Sequence, residues 1–245
     1  ATVTLPARTL PEIKTAGESH SHTLALDWDK REFKMVAPSV GYLRPGPFYN
    51  NQPNATNIWD SGPFRQFIDA SFTQLLSAQA KVLLIDLRDN PGGDNSFSDA
   101  MIAWFATKPF RFASAFKIKV SDAAIESNRK RLAVPPQELD PISPKLAAAY
   151  EQHRVGEIID FEIPVATPRD GARFTGKVYL LINRFSYSNT VQVAAMAQDY
   201  RFAKILGEET SDLATTYGAM EQFTLSRTGI VVGFPKAMII RANGD

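Results

Sequence analysis

Two stretches of this chain bring residues capable of chemistry to the ends of apolar runs. In KVYLLINRFSYSNT, residues 177 to 190, such a run ends in a corner carrying Ser186, Ser188, Asn189 and Thr190, where the pattern predicts the first turn of a helix. Ser, Thr and Asn at a helix start satisfy backbone N–H groups that have no intrahelical partner. One cap needs one such residue, and four are present. The same corner suits a nucleophile, because outward-pointing N–H groups and the helix dipole favour a developing negative charge. The second stretch, KVLLIDLRDNPGGD, residues 81 to 94, passes from a buried strand into turn chemistry with two adjacent glycines. Gly92 and Gly93 let the backbone approach a bound group or take positive φ without steric cost, although an isolated PGG is also an ordinary β-turn. Two neighbouring parallel strands would deliver both corners to one carboxyl edge, where open α/β sheets place their ligands.

The elements that must hold these corners are legible from periodicity. VGYLRPGPF (40 to 48) reads as a short strand closed by Pro and Gly. SGPFRQFIDASFTQLLSAQA (61 to 80) has apolar residues at 64, 67, 68, 72, 75 and 76, which is helix spacing with Ser61 as cap. SFSDAMIAWFATK predicts a helix after the PGG turn, AKILGEE (203 to 209) a further strand, and MEQFTLS with GIVVGFP a hairpin around Arg227, Thr228 and Gly229. Repeated β-α units predict an α/β fold with a largely parallel sheet. Residues 1–34 read as an extended lead without helix period, or as the remnant of an upstream domain, and 35–245 as one domain. Residues 121–173 are charged, Pro-bearing and weakly periodic apart from a short helix at PKLAAAYEQH, so they read as a long excursion, a lid over the active face.

Composition narrows the function classes. The 245 residues carry a net charge of +1 with scattered cations, which offers no field for nucleic acid. The absence of cysteine removes disulfides, thiolate catalysis and Cys-ligated metals. Three histidines, His20, His22 and His153, argue against a histidine-built zinc site. No apolar stretch reaches the roughly 20 residues of a membrane span. The start lacks the regions of a signal peptide, and both it and the final IIRANGD read as cuts through a longer protein whose upstream domain is missing.

LLIDLRDNPGG followed by LLINRFSYSNTVQVAAMAQDYRFAKILGEET resembles the S41 family of serine peptidases, which includes C-terminal processing (tail-specific) proteases and the tricorn core protease. The blocks agree in order and spacing from about residue 40 to the end. The resemblance implies a ClpP/crotonase-like spiral of β-β-α units, with strands near 40–44, 82–87, 178–183 and 203–207. It implies a serine endopeptidase acting on polypeptides, with Ser188 as nucleophile and Ser186 and Thr190 at the outer positions of the serine motif. The oxyanion donors it implies are the backbone N–H of Gly93, with Gly92 next in line, and that of Asn189. Phe185, Tyr187 and Tyr217, with Phe48 and Tyr49, are candidates for a hydrophobic subsite, although an aromatic beside a strand is more often core. Acyl transfer by serine requires no metal or organic cofactor. Relatives of this kind imply a bacterial periplasm or cell envelope.

The departures from the family pattern bear on activity. Processing proteases place a lysine in a block like GExTFGKG, whereas GEETSDLATTYG has Leu213 at that position, which excludes a Ser/Lys dyad there. The tricorn-like branch draws a histidine from upstream and a glutamate from downstream. The expectation is therefore that base and acid lie outside this chain and that the isolated chain is nearly inactive. The alternatives are a peptide-binding pseudoenzyme and, by fold analogy alone, an acyl-thioester enzyme. His20 and His22 lie in the polar lead, and His153 sits in the excursion, a poor place to hold an imidazole. Asp86 and Arg88 are expected to pair and fix the glycine turn, Asp199 to support a helix end, and Glu208 and Glu209 to be solvated strand ends.

Overall fold

The computed structural model describes residues 8–19, 27–134 and 142–245. Its first sheet has the order β1-β2-β3-β6-β7, formed by Glu32–Ala37, Val40–Arg44, Val82–Asp86, Lys177–Ile182 and Lys204–Gly207. β1 and β2 form an antiparallel hairpin, and every other neighbouring pair is parallel. The expected α/β fold with a largely parallel sheet is thus present, with strands at the anticipated places. β3 and β6 lie side by side in the register Asp86↔Leu181. The DNPGG turn and the serine corner therefore leave the same carboxyl edge.

Helix α2 (Gly62–Ser77) buries Phe64, Ile68, Phe72 and Leu75, the stripe its spacing predicts. Ser61 holds the N-cap position without capping through its side chain; its Oγ accepts from Arg65 Nε instead. Helix α3 (Asn95–Ile102) follows the glycine turn and is capped by Asp94, whose carboxylate accepts from the Ser96 N–H. These helices and α6 (Asn189–Asp199) cover the sheet with a core that includes Leu83, Ile85, Phe97, Leu180 and Met196. Phe48 is fully buried in that core, packed edge to face on Phe64, so it is no part of an open subsite.

A second, antiparallel sheet has the order β5-β4-β9-β8, from Ile158–Asp160, Ala115–Lys119, Val231–Ile240 and Thr216–Thr224. β8 and β9 are the predicted hairpin, longer than the sequence pattern indicated. The excursion is better ordered than expected. Besides α5 (Ser143–Glu151) it contributes α4 (Asp122–Leu132) and β5. Ser121 caps α4 by accepting from the Ala124 N–H, with Asp122 in its first turn and Arg129, Lys130 and Arg131 in its last, which suits the helix dipole. Leu146 and Tyr150 of α5 and Ala124 of α4 pack with Ile118, Ile159 and Ala237 into a second small core, so this segment is anchored on the second sheet.

Residues 10–19 form helix α1 (Leu10–Ser19), where an extended lead was expected. The cause is a capping box. Thr9 Oγ1 accepts from the Glu12 N–H, and the Glu12 carboxylate accepts from the Thr9 N–H.

Candidate active site

Asn90 joins the two corners. Its Oδ1 accepts from the Gly92 N–H and from Thr190 Oγ1, each at 2.9 Å; its Nδ2 donates to the Gly46 carbonyl; and its own carbonyl accepts from the Tyr187 N–H. The bond to Gly92 is an Asx turn, the local arrangement that Asn favours before a tight bend. Ser186 is buried and donates its hydroxyl to the Leu87 carbonyl, while the Asn183 side chain bonds Asp89 from the other strand end. Ser186 and Thr190 thus staple β6 to β3. That accounts for two of the four polar residues at the helix start.

Ser188 differs from both. It is exposed and takes φ +53° and ψ −125°, a left-handed conformation that costs a non-glycine residue on the order of 1–3 kcal/mol. Its side chain makes no cap bond, and its backbone carbonyl accepts from Val191. Its N–H donates to Asp212 Oδ2 at 2.9 Å. A sharp strand-to-helix corner with strained backbone is the geometry that projects a hydroxyl off a sheet edge.

The glycine turn comes close beneath it. A Cβ built on Gly92 would lie 2.7 Å from the Tyr187 carbonyl, 2.8 Å from Asn189 N and 2.9 Å from Ser188 Cβ. At φ +89° only glycine fits there. Gly93, at φ +136°, sits against the Phe48 backbone just as closely. Among the described residues, neither the Gly93 N–H nor the Asn189 N–H donates a hydrogen bond to protein. Gly92 N–H is committed to Asn90, which removes it as a second oxyanion donor. Asn189 is itself buried, with Nδ2 on Ser98 Oγ and an unpartnered Oδ1.

Asp86 fixes the start of the turn. It accepts from Tyr42, Arg44 and Arg88, the last in two side-chain bonds of 2.9 and 2.8 Å, so the expected Asp86–Arg88 pair is joined by a second arginine. Burial pushes its carboxyl upward, but the bonds from Arg88 and Tyr42 outweigh this and hold it below the usual aspartate range. Nearby, burial raises Asp99 of α3 to about 7.

The loop 208–214 closes the other side. Glu208 pairs with Arg184, Ser211 donates to the Arg184 carbonyl, and Gln192 reaches the Ala214 carbonyl. Asp212, the residue this loop lends to Ser188, was not singled out from the sequence, because only the folded loop brings it there. With α6 and β7 the loop encloses a groove of about 460 Å³ whose walls include Val191, Ile205 and Leu213. Phe185, Tyr187 and Tyr217 are 53%, 57% and 69% exposed, so they are free to meet a ligand rather than being core. Asp199 accepts from Arg241 and from the Asn243 N–H, which makes it a structural clamp.

Among the described residues no lysine or histidine hydrogen-bonds Ser188. Leu213 is 68% exposed. His153 lies in a turn after α5, where its ring N–H donates to the Ala149 carbonyl. His20 and His22 lie outside the described residues. No three His, Asp or Glu side chains gather as a metal site among the described residues.

The fold recurs in solved structures. Mature CPAF is 18% identical with a TM-score of 0.58, over 84% of this chain and 44% of that one. The photosystem II D1 C-terminal processing protease is 16% identical with a TM-score of 0.51, over 84% and 38%. A candidate peptidase from Parabacteroides merdae is 18% identical with a TM-score of 0.57, over 98% and 60%. The chain therefore spans between 38% and 60% of these neighbours' lengths. No curated protein sequence matches it. The model of peptidase family S41 matches residues 39–245, the span that carries both corners and every strand but β1, and the chain belongs to that family.

Proposed function

We propose that this chain is the catalytic region of a serine endopeptidase that cleaves polypeptides through an acyl-enzyme on Ser188. The observation that carries this reading is the exposed, left-handed Ser188 held directly over the Gly92–Gly93 turn. In the reaction, Ser188 Oγ adds to the scissile carbonyl and gives its proton to a base. The Gly93 and Asn189 N–H groups receive the oxyanion, the amine leaves with a proton, and water releases the acyl group. Phe185, Tyr187 and Tyr217 offer apolar contact to substrate side chains. The base is read as coming from outside the described residues; the exposed Leu213 and the bond of His153 to the Ala149 carbonyl support this. The β-β-α order is read as the crotonase-like spiral. A bacterial periplasm or envelope is the location that the resemblance suggests; among the described residues no helix is long and apolar enough to cross a membrane.

The test is labelling by a fluorophosphonate and hydrolysis of an unfolded polypeptide, with Ser188→Ala as control. Loss of the nucleophile lowers kcat by about 10⁴- to 10⁶-fold and abolishes labelling. Labelling that persists in Ser188→Ala overturns the assignment. The isolated chain is expected to be nearly inactive in either case; full-length protein that binds polypeptide but neither labels nor cleaves is instead a peptide-binding pseudoenzyme, the reading that Leu213 favours.

A further inference from the structure

A second concave site lies near the opposite edge of the first sheet. The segments 107–109 and 168–173 enclose a groove of about 400 Å³ whose charged lining is Lys108, Arg169, Arg173 and Asp170. It lies before the start of β6, whereas Ser188 follows its end, so a six-residue strand of about 20 Å separates the two.

The cations of this groove are held but not neutralised. Elsewhere Arg44, Arg88, Arg131, Arg184 and Arg241 each pair with a carboxylate. Among the described residues Lys108, Arg169 and Arg173 have no such pair. Instead Arg169 lies 3.5 Å above the ring of buried Trp104 and donates Nη1 to the Ala172 carbonyl. Arg173 donates Nη1 to the Ala106 carbonyl. Lys108 rests over the Tyr200 ring. Each guanidinium keeps its remaining N–H donors, and both are half-buried. The walls are fixed by backbone bonds from Arg169 to Ala103 and from Phe174 to Trp104. A stacked guanidinium with spare donors is pre-organised for forked recognition of an oxyanion.

We propose that this groove binds a phosphoryl group, with Arg169 and Arg173 supplying forked donors and Lys108 a point charge. The site is independent of the chemistry at Ser188. The net excess of two cations matches a dianion and disfavours a neutral ligand.

The test is titration with inorganic phosphate and, separately, glycerol phosphate, followed by calorimetry and by fluorescence of Trp104. Sodium chloride at equal ionic strength serves as control. Saturable binding is expected, weakened about tenfold or more by Arg169→Gln, since one charge-assisted fork contributes at least that factor. Arg169→Lys should weaken it similarly, because an ammonium cannot form the fork. Lys108→Gln, at an exposed position, should weaken it severalfold without threatening the fold, while Lys204→Gln leaves it unchanged. Tighter binding of the monoester assigns the source as an esterified phosphate, and equal binding assigns free phosphate. A response matched by sodium chloride, or unaffected by both Arg169→Gln and Lys108→Gln, overturns the proposal.

Discussion

Asp86 and Glu221 are the two fully buried carboxylates among the described residues, and they do different work in the two sheets. Asp86 ends β3, one residue before the chain enters the loop that carries the glycine turn, and binds Tyr42, Arg44 and Arg88. Glu221 lies within β8, facing α4, and binds Arg131, Lys236 and Ser127. For both, burial pushes the pKa up and the surrounding donors bring it below the usual range. The device is the same. In the first sheet it aims a loop at Ser188, whereas in the second it fastens the excursion to a hairpin that also carries exposed side chains such as Met220 and Val231. Placement relative to the carboxyl edge, rather than burial, decides which ion cluster neighbours the serine corner.

Replacing Asp86 by Ala should break that contrast most severely. Arg44, whose side chain is 7% exposed, is left with a buried uncompensated charge, so a loss of about 3–5 kcal/mol in denaturant unfolding is expected. Activity of the remaining folded fraction should fall at least about 100-fold, because a displaced oxyanion donor has an effect of that size. Folded Asp86→Ala with undiminished turnover would show that the turn is positioned without it.

Glu221→Gln should cost about 3 kcal/mol, since Lys236, whose side chain is 10% exposed, loses this carboxylate, while Arg131 at 34% exposed can reach water and the amide oxygen still accepts. Turnover per folded molecule should stay within twofold. A specific loss of kcat would mean that the second sheet reaches the site after all.

Asp99 sharpens the comparison through its sign. Asp86 and Glu221 have depressed folded pKa values, so their contributions are present above the unfolded values near 4 and are lost as pH falls through the folded ones. Asp99 is raised from 3.8 to about 7, so its folded form holds a proton that the unfolded chain has released between those values. Stability attributable to it therefore declines as pH rises from about 4 to 7. The full shift corresponds to roughly 4 kcal/mol, but the residue as a whole is only half-buried, and about 2 kcal/mol is expected. In Asp99→Asn, unfolding free energies at pH 4.5 and 7.5 should differ less than in the unaltered protein by that amount. An unchanged difference would place its titration elsewhere.

Much of the first sheet is readable because parallel strands buried on both faces are continuous apolar runs, as in VLLI and VYLLI. The serine corner and the glycine turn announce themselves by polar crowding and by adjacent glycines. What escapes reading depends on long-range contact. Asn90, inside the quoted turn, gives no hint that its side chain binds Thr190 a hundred residues later. Asp212 becomes relevant only once the 208–214 loop folds back. Other omissions were local signals overlooked: Thr9 and Glu12 spell a capping box, and Ser121 with Asp122 opens α4 in good form. Gly92 could not be told from Gly93 by type, and the hydrogen bond to Asn90 separates them.

The smallest effect is expected where the family resemblance would suggest the largest. Leu213 occupies the position of the processing proteases' lysine, which makes Leu213→Lys the obvious attempt to install a base. A lysine acts as a base near neutral pH only when desolvation or a neighbouring cation lowers its pKa from about 10.4 by some three units. The position offers neither. Leu213 is 68% exposed, and the nearest charged group in its loop is the Asp212 carboxylate, which favours the protonated amine. The new ammonium should remain charged and solvated, and the substitution should change fluorophosphonate labelling by less than about twofold between pH 6 and 8. Labelling that rises tenfold with an apparent pKa near 7 would show that the loop closes over Ser188 and desolvates the lysine, and that a base can be supplied from position 213.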